Sequence, residues 1–351
     1  MYKAGLVGLG GMASGGDPGD PYAYSHASGL CHNGRFELSA AADISADKVK
    51  QFDQKWGGCF KNTHYYSSVA EMIQNEKLDV IAICTRGRWH FPVAMEAIHA
   101  QHPPKVIFIE KAPTASLEEM DLLMEAAAKR DILIMVSYSR HWYPHMKWVK
   151  GLLDDGLIGQ IKTVVGYCRG WLLSMGSHQT DMICQFAGYD PVAVTAKGRF
   201  ENDPDIKWHS VDNLPEGYGP EPLLDNMMIE YKSGITGYHI GEYNDYWGLY
   251  CDIFGSAGRV RVQADLLKVH AYSGFEKEID LSGYGFPERK GVFDAAYQQI
   301  ADYLAGGPAP ACSNQDYTAV QEIGYGAIES IHSGGRILLP NGKRDRKIHI
   351  L

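Results

Sequence analysis

Nothing in this 351-residue sequence pairs its cysteines. All seven (Cys31, Cys59, Cys84, Cys168, Cys184, Cys251 and Cys312) are scattered, and no two form a C-x-x-C. An odd count at irregular spacing argues against both a disulfide framework and a zinc site, so free thiols in a reducing compartment are expected. Basic excess is also missing. Lys and Arg number 33 against 42 Asp and Glu, a formal net charge of -9. That balance argues against nucleic acid or an anionic membrane as the main partner. An anionic cofactor remains compatible with it, because local backbone dipoles hold a pyrophosphate whatever the net charge. No apolar run approaches the roughly 18 residues needed to cross a bilayer. Met1-Tyr2-Lys3 runs directly into a strand pattern, without the apolar stretch of a signal peptide. A cytoplasmic protein is expected. Fourteen histidines raise the question of a metal, but none is expected here.

What is present is apolar material for two cores, at 45% hydrophobic residues. Chain length predicts two domains, 1–140 and 141–351, with the final helix able to pack back on the first. The first part alternates strand and helix signals. Strands are predicted over Ala4–Gly8, Phe36–Ala42, Val80–Cys84, Val106–Ile109 and Ile132–Ser137. The intervening helices include Ala46–Trp56 after an N-cap at Ser45. Near-continuous apolar strands fit a parallel sheet covered on both faces. After a connecting helix, about Met146–Asp155, alternating β-rich stretches take over from Ile161 to Tyr272. The expected fold is therefore an α/β Rossmann domain followed by an α+β domain with a large, mostly antiparallel open sheet. Gln179–Phe186, Val292–Leu304 and Tyr317–Ser333 are predicted to cover that sheet. The Pro/Gly-rich stretch Asn213–Pro222 reads as a surface loop.

Gly8-Leu9-Gly10-Gly11-Met12-Ala13 follows the first strand as G-x-G-x-x-A. Gly8 permits the tight turn, Gly10 lets the backbone approach a pyrophosphate, and Ala13 is small enough for close helix packing. The second strand ends at Asp43, whose carboxylate can accept both adenosine ribose hydroxyls and repel a 2'-phosphate. NAD is thus preferred over NADP, although Lys48 lies close enough to keep NADP open. Asp43 also reads as a plain strand end or helix cap. Ser14–Ala23, rich in Gly, Pro and Asp, interrupts the helix the fingerprint should open. It is either a surface excursion or a lid.

These features resemble the Gfo/Idh/MocA oxidoreductases, the family of glucose-fructose oxidoreductase and inositol dehydrogenase. Cys84-Thr85-Arg86-Gly87-Arg88-Trp89-His90 resembles the T-P-N-x-x-H turn, and Glu110-Lys111-Ala112-Pro113 the E-K-P motif. Ser139-Arg140-His141-Trp142-Tyr143-Pro144 resembles N-R-R-F-x-P, Gly156-Leu157-Ile158-Gly159 resembles G-x-I-G, and Gly176-Ser177-His178-Gln179-Thr180-Asp181 resembles G-x-H-x-x-D. The pieces occur in order along essentially the whole chain. Gly87, Ala112 and Ser174 depart from the family pattern, the last standing where many members have Asp.

The resemblance implies a hydride-transferring enzyme of a sugar, glycoside or cyclitol. It places Gly8, Gly10, Gly11, Met12, Ala13, Asp43, Thr85, His90, Glu110 and Lys111 around NAD. Lys111 and His178 become the proton-transfer candidates. A surface Lys111 paired with Glu110, and a structural His178, are the plainer readings of those residues. Substrate contacts fall to Lys111, Arg140, Tyr143, Arg169, Trp171, Ser174, His178 and Asp181. A second aromatic and polar cluster runs from Tyr238 to Trp247, with His239, Glu242 and Asp245. It suits either a sugar or an oligomer interface through Tyr243, Tyr246 and Trp247. Two other readings are carried: transient oxidation followed by elimination or hydrolysis, and a non-catalytic NAD-binding regulator. A homo-oligomer, dimer or tetramer, is expected by resemblance.

Overall fold

The computed structural model describes residues 1–202, 210–241, 249–263, 266–274, 276–280, 292–313 and 315–350. They form two compact units. The first comprises Met1–Thr114, Glu119–Trp142 and the described part of 290–314. Its elements are β1 (Tyr2–Val7), α1 (Gly11–Ser14), α2 (His26–His32), β2 (Phe36–Ala42), α3 (Ala46–Trp56), β3 (His64–Tyr66), α4 (Val69–Asn75), β4 (Val80–Ile83), α5 (His90–His99), β5 (Val106–Ile109), α6 (Leu117–Lys129) and β6 (Leu133–Val136). The strands form one parallel sheet in the order β3-β2-β1-β4-β5-β6. This is the doubly wound dinucleotide-binding order. The apolar runs of β4, β5 and β6 are buried at every position, as a sheet covered on both faces requires. Helices α3 and α4 start where Ser45 and Ser68 accept the backbone N–H three residues on.

The fingerprint helix is only one turn long, α1. Beyond it Asp17 and Asp20 close a surface turn on each other, Asp17 N–H donating to Asp20 Oδ2 at 2.7 Å and Asp20 N–H to the Asp17 carbonyl at 3.0 Å. Ser25 Oγ donates back to the Gly15 carbonyl at 2.8 Å, and α2 then begins on a Ser25–Ser28 capping box. The segment Ser14–Ala23 is thus a surface excursion pinned at its base. The sequence pattern missed α2, which is too short and polar for a clear period.

A helix expected over the second sheet belongs to the first unit instead. This is α9 (Phe293–Leu304), which packs against α2. Phe293 and Tyr297 bring their rings to Phe108 and His26, and Arg35 pairs with Asp302. Gly29 makes the approach possible, because a Cβ there would come within 2.7 Å of the Tyr297 ring. Hydrophobic period identifies such a helix but not the surface that will receive it.

The second unit contains α7 (Pro144–Asp154), β7 (Ile161–Tyr167), α8 (Gly176–Ala187), β8 (Pro191–Arg199), β9 (Leu223–Tyr231), β10 (Thr236–Ile240), β11 (Tyr250–Gly255), β12 (Gly258–Val262), β13 (Leu266–Ala271), β14 (Glu276–Asp280), α10 (Gln315–Ser333) and β15 (Ile337–Leu338). Its nine strands run β14-β13-β12-β11-β7-β10-β9-β8-β15, and only the β7–β10 pair is parallel. Helices α8 and α10 lie on this sheet. Strand alternation matches one covered face. In β12 Gly258, Val260 and Val262 are buried while Arg259 and Arg261 are exposed. No helix among the described residues is long and apolar enough to cross a membrane.

Candidate cofactor and substrate sites

The first unit builds its candidate site at the carboxyl ends of β1, β2, β4 and β5, where open α/β sheets bind ligands. Gly8 sits at φ +82°, and a Cβ on it would lie 2.9 Å from the Thr85 nitrogen. Any larger residue is therefore both strained and obstructed. Leu9 N–H donates to Asp43 Oδ2 at 2.7 Å, and Ser45 N–H donates to Asp43 Oδ1 at 2.8 Å. Asp43 thus ties the glycine turn to the end of β2. A carboxylate offers about four lone-pair positions, so each oxygen retains capacity for a hydroxyl.

Beside that clamp, Gly10 and Gly11 face open space, since a Cβ on either would meet nothing within 4 Å. Ala13 is fully buried and Met12 is exposed. Across from them Thr85 Oγ1 is buried with no hydrogen-bond partner among the described residues. A buried hydroxyl without a partner is costly and marks a place where a ligand group fits. An open glycine cradle, a half-buried carboxylate and this hydroxyl fit a nicotinamide dinucleotide.

His90 and Glu110 both have partners within the first unit. His90 is buried, with Nδ1 2.8 Å from the Ala112 carbonyl and Nε2 2.8 Å from the Thr85 carbonyl. It links the loop after β4 to the loop after β5. Burial holds its pKa below the ordinary value, although both carbonyls act in the opposite direction. Glu110 is 5% exposed and engages His26 and Ser137. Both side chains brace the backbone on either side of Lys111. Lys111 itself is half-buried and enters Ala112 through a cis peptide bond. Arg140 belongs to the same unit and donates to Ser139 Oγ at 3.0 Å.

In the second unit, Tyr143 precedes α7 with its ring 5.3 Å from His145. Arg169 is half-buried and Trp171 fully buried, Trp171 packing on Leu223. The Trp171 carbonyl accepts from Gly176 N–H at 2.8 Å, closing the turn that leads into α8. His178 lies in the first turn of that helix, 9% exposed. Asp181 is fully buried, its two oxygens accepting from Tyr189 Oη at 3.2 Å and Gln185 Nε2 at 3.0 Å.

His239 is buried, with Nε2 3.2 Å from the Cys168 carbonyl, and burial lowers its pKa to about 4. Residues 242–247 of the aromatic cluster, including Glu242, Tyr243, Asp245, Tyr246 and Trp247, lie outside the described residues.

One buried acid bonded to the predicted substrate residue Ser174 has no counterpart among the residues expected from sequence. Glu221 falls within the stretch expected to be a surface loop, yet it is fully buried. Its carboxylate accepts from Leu173 N–H and Ser174 N–H, both at 2.5 Å, and from Ser174 Oγ at 2.6 Å. The Pro-rich composition hid it. The only available signal was an acidic residue two positions before the apolar start of β9.

Residues 2–138 match a family model described as an oxidoreductase family with an NAD-binding Rossmann fold, GFO/IDH/MocA. The chain is 23% identical over 319 residues to a myo-inositol 2-dehydrogenase of Thermotoga maritima, a match covering 84% of this chain and 88% of the relative. It is 24% identical over 288 residues to a scyllo-inositol 2-dehydrogenase (NAD(+)) of Bacillus subtilis, covering 75% and 78%. Curated relatives named for NADP(+) also match. Among solved structures, a levoglucosan dehydrogenase complexed with NADH and levoglucosan shares the fold. Its TM-score is 0.76 at 18% identity, over 97% of this chain and all of that one, covered at 100%.

Proposed function

We propose that this chain, whose residues 2–138 match the model of the Gfo/Idh/MocA oxidoreductases, is an NAD-dependent dehydrogenase or reductase of that family acting on a CH–OH centre of a sugar, glycoside or cyclitol. The observation that carries the reading is the cradle of Gly10, Gly11, Asp43 and the buried Thr85 hydroxyl. The names of the relatives, inositol dehydrogenases above all, support the substrate class.

When bound, the nicotinamide gives or takes the hydride. The chain's own residues bind the nucleotide and handle the proton. The Gly10–Gly11 backbone would hold the pyrophosphate, and Asp43 would accept the ribose hydroxyls while opposing a 2'-phosphate. As an amine, Lys111 takes the substrate O–H proton; as an ammonium, it returns one to a carbonyl oxygen. His178 is the second proton-handling group. Arg140, Tyr143, Arg169, Trp171 and Ser174 contribute to hydroxyl and ring recognition. His90 and Glu110 act through the backbone that carries Lys111.

The test is turnover on a panel of sugars, glycosides and inositols, read as absorbance of the reduced nicotinamide. Net reduction with at least one member, abolished in Lys111→Ala, is expected. Tight NAD binding with no turnover on any member would overturn the dehydrogenase reading. Self-assembly through the exposed face of the second unit's sheet, which presents Arg259 and Arg261, accompanies this proposal. Light scattering is expected to give a dimer or tetramer, and a monomer at micromolar concentration would refute it.

A further inference from the structure

The carboxylate of Glu221 is fully buried, a placement that is costly unless compensating bonds are made. Here three donors converge on it. Oε1 takes the consecutive amides of Leu173 and Ser174, and Oε2 takes the Ser174 hydroxyl. Charge-assisted bonds of this kind are short and strong. The strand-like segment carrying Glu221 is itself anchored on both sides. Leu172 N–H donates to the Pro222 carbonyl at 3.1 Å, and Leu223 bridges Trp171. Gly219 exchanges bonds with the C-terminal segment, its N–H donating to the Lys347 carbonyl at 2.8 Å and its carbonyl accepting from His349 N–H at 2.9 Å.

The bonds continue from Ser174 toward His178. Ser177 Oγ donates to the Ser174 carbonyl at 3.1 Å, and His178 N–H donates to the Met175 carbonyl at 3.2 Å. Gly176 is held to Trp171 within the same turn. A Cβ on Gly176 would approach the Trp171 carbonyl to 3.1 Å and His239 Cε1 to 3.3 Å, so the turn has little room to relax. The direction of the Ser174 bond also matters. With its hydrogen committed to Glu221, the Ser174 oxygen is left as an acceptor.

We infer that Glu221 is a positioning residue for the proposed reaction. It holds the Leu173–Ser174 turn, and through it the first turn of α8 that carries His178, while fixing the Ser174 hydroxyl as an acceptor. This inference rests on the proposed role of His178 in proton transfer.

The test compares wild type with Glu221→Gln and Ser174→Ala. Glutamine keeps the size of Glu221 but offers one acceptor oxygen, and its amide presents a donor to Ser174 Oγ. Ser174→Ala removes the hydroxyl link and spares both backbone amides. Three readouts are taken on the full chain: amide hydrogen exchange at Leu173 and Ser174, the NMR titration of the His178 ring, and kcat with its pH profile. In Glu221→Gln, faster exchange at both amides, a shifted His178 titration and a kcat lower by at least about tenfold are expected, in keeping with the sensitivity of catalysis to small misplacements. NAD affinity is expected to stay within about twofold, because no cofactor contact is removed. Ser174→Ala is expected to shift the same titration with the amides still protected, which keeps the test intact if Glu221→Gln fails to fold.

An unchanged His178 titration in every variant that folds overturns the inference, whatever happens to stability. So does wild-type kcat in Glu221→Gln. The ring titration and amide exchange need no substrate. A wild-type protein that binds NAD but turns over nothing therefore defeats the dehydrogenase reading without deciding the role of Glu221.

Discussion

His26 Nε2 lies 3.1 Å from Glu110 Oε1, with both residues buried and Tyr297 Oη 2.8 Å from the other ring nitrogen. Nε2 donates to the carboxylate, and Nδ1 accepts from the tyrosine when the ring is neutral or donates to it when the ring is protonated. One residue comes from α2, one from the end of β5 and one from α9. The trio therefore joins three distant pieces of chain at the residue that precedes Lys111.

His26→Ala strips a buried carboxylate of one partner and opens a gap among Phe108, Phe293 and Tyr297. Breaking a buried pair in this way costs about 3–5 kcal/mol. Urea unfolding is expected to register a loss of that order, together with a fall in kcat through displacement of Lys111. A variant within about 0.5 kcal/mol of wild type, the spread of an ordinary surface substitution, would show that the trio contributes nothing.

The same pair sets an acid sensitivity. Burial alone would raise the Glu110 pKa, but the hydrogen bond and charge of His26, the charge of Lys111 and a bond from Ser137 hold it below its ordinary value. Its pKa is therefore lower folded than unfolded. The resulting stabilisation is complete above the unfolded value of about 4.3 and is lost as pH falls through the folded value. Stability measured below about pH 4 is expected to fall less steeply in Glu110→Gln than in wild type, from a lower starting point at neutral pH. Parallel acid limbs would contradict this.

His239 acts in a different window. Burial brings its pKa from 6.5 to about 4. Between those values the unfolded chain takes up a proton that the folded chain refuses. Stability is therefore lost as pH drops from about 6.5 toward 4, by up to about 3 kcal/mol for a shift of this size. His239→Gln is expected to flatten that segment of the stability profile while leaving the steeper limb below it. Calorimetric melting from pH 7 to 4 checks the slope.

Much of this arrangement was legible in the residues themselves. Where a strand is mostly apolar and buried and the helix after it carries a serine cap, as from Phe36 to Trp56, local chemistry determines local structure and the boundaries agree. The glycine turn and Asp43 were readable for the same reason, since a φ above zero and a strand-end carboxylate leave their mark in a few adjacent residues. Long-range partners leave no such mark. Nothing near Tyr297 announces His26, 271 residues away, and nothing near Ser174 announces Glu221. Those pairings depend on which surfaces the folded elements present to each other. The destination of α9 and the bracing roles of Glu110 and His90 were therefore visible only in the structure.

Asp43 holds the glycine turn, and the proposed function gives it a ribose to bind as well; substitution separates the two. Its Oδ2 holds the Leu9 amide of the glycine turn and its Oδ1 caps Ser45, while the remaining lone pairs face the proposed ribose site. Asp43→Ala removes both functions. NAD affinity is expected to fall at least about tenfold, since a charge-assisted bond is worth about 1.5–3 kcal/mol. Asp43→Asn retains one acceptor oxygen for the turn but loses the charge that opposes a 2'-phosphate. It is expected to keep much of its NAD affinity and to bind NADP better than wild type does. Fluorescence titration with both nucleotides distinguishes the effects. Wild-type preference for NADP, or an NAD to NADP ratio that both variants leave unchanged, would mean that Asp43 serves the turn alone.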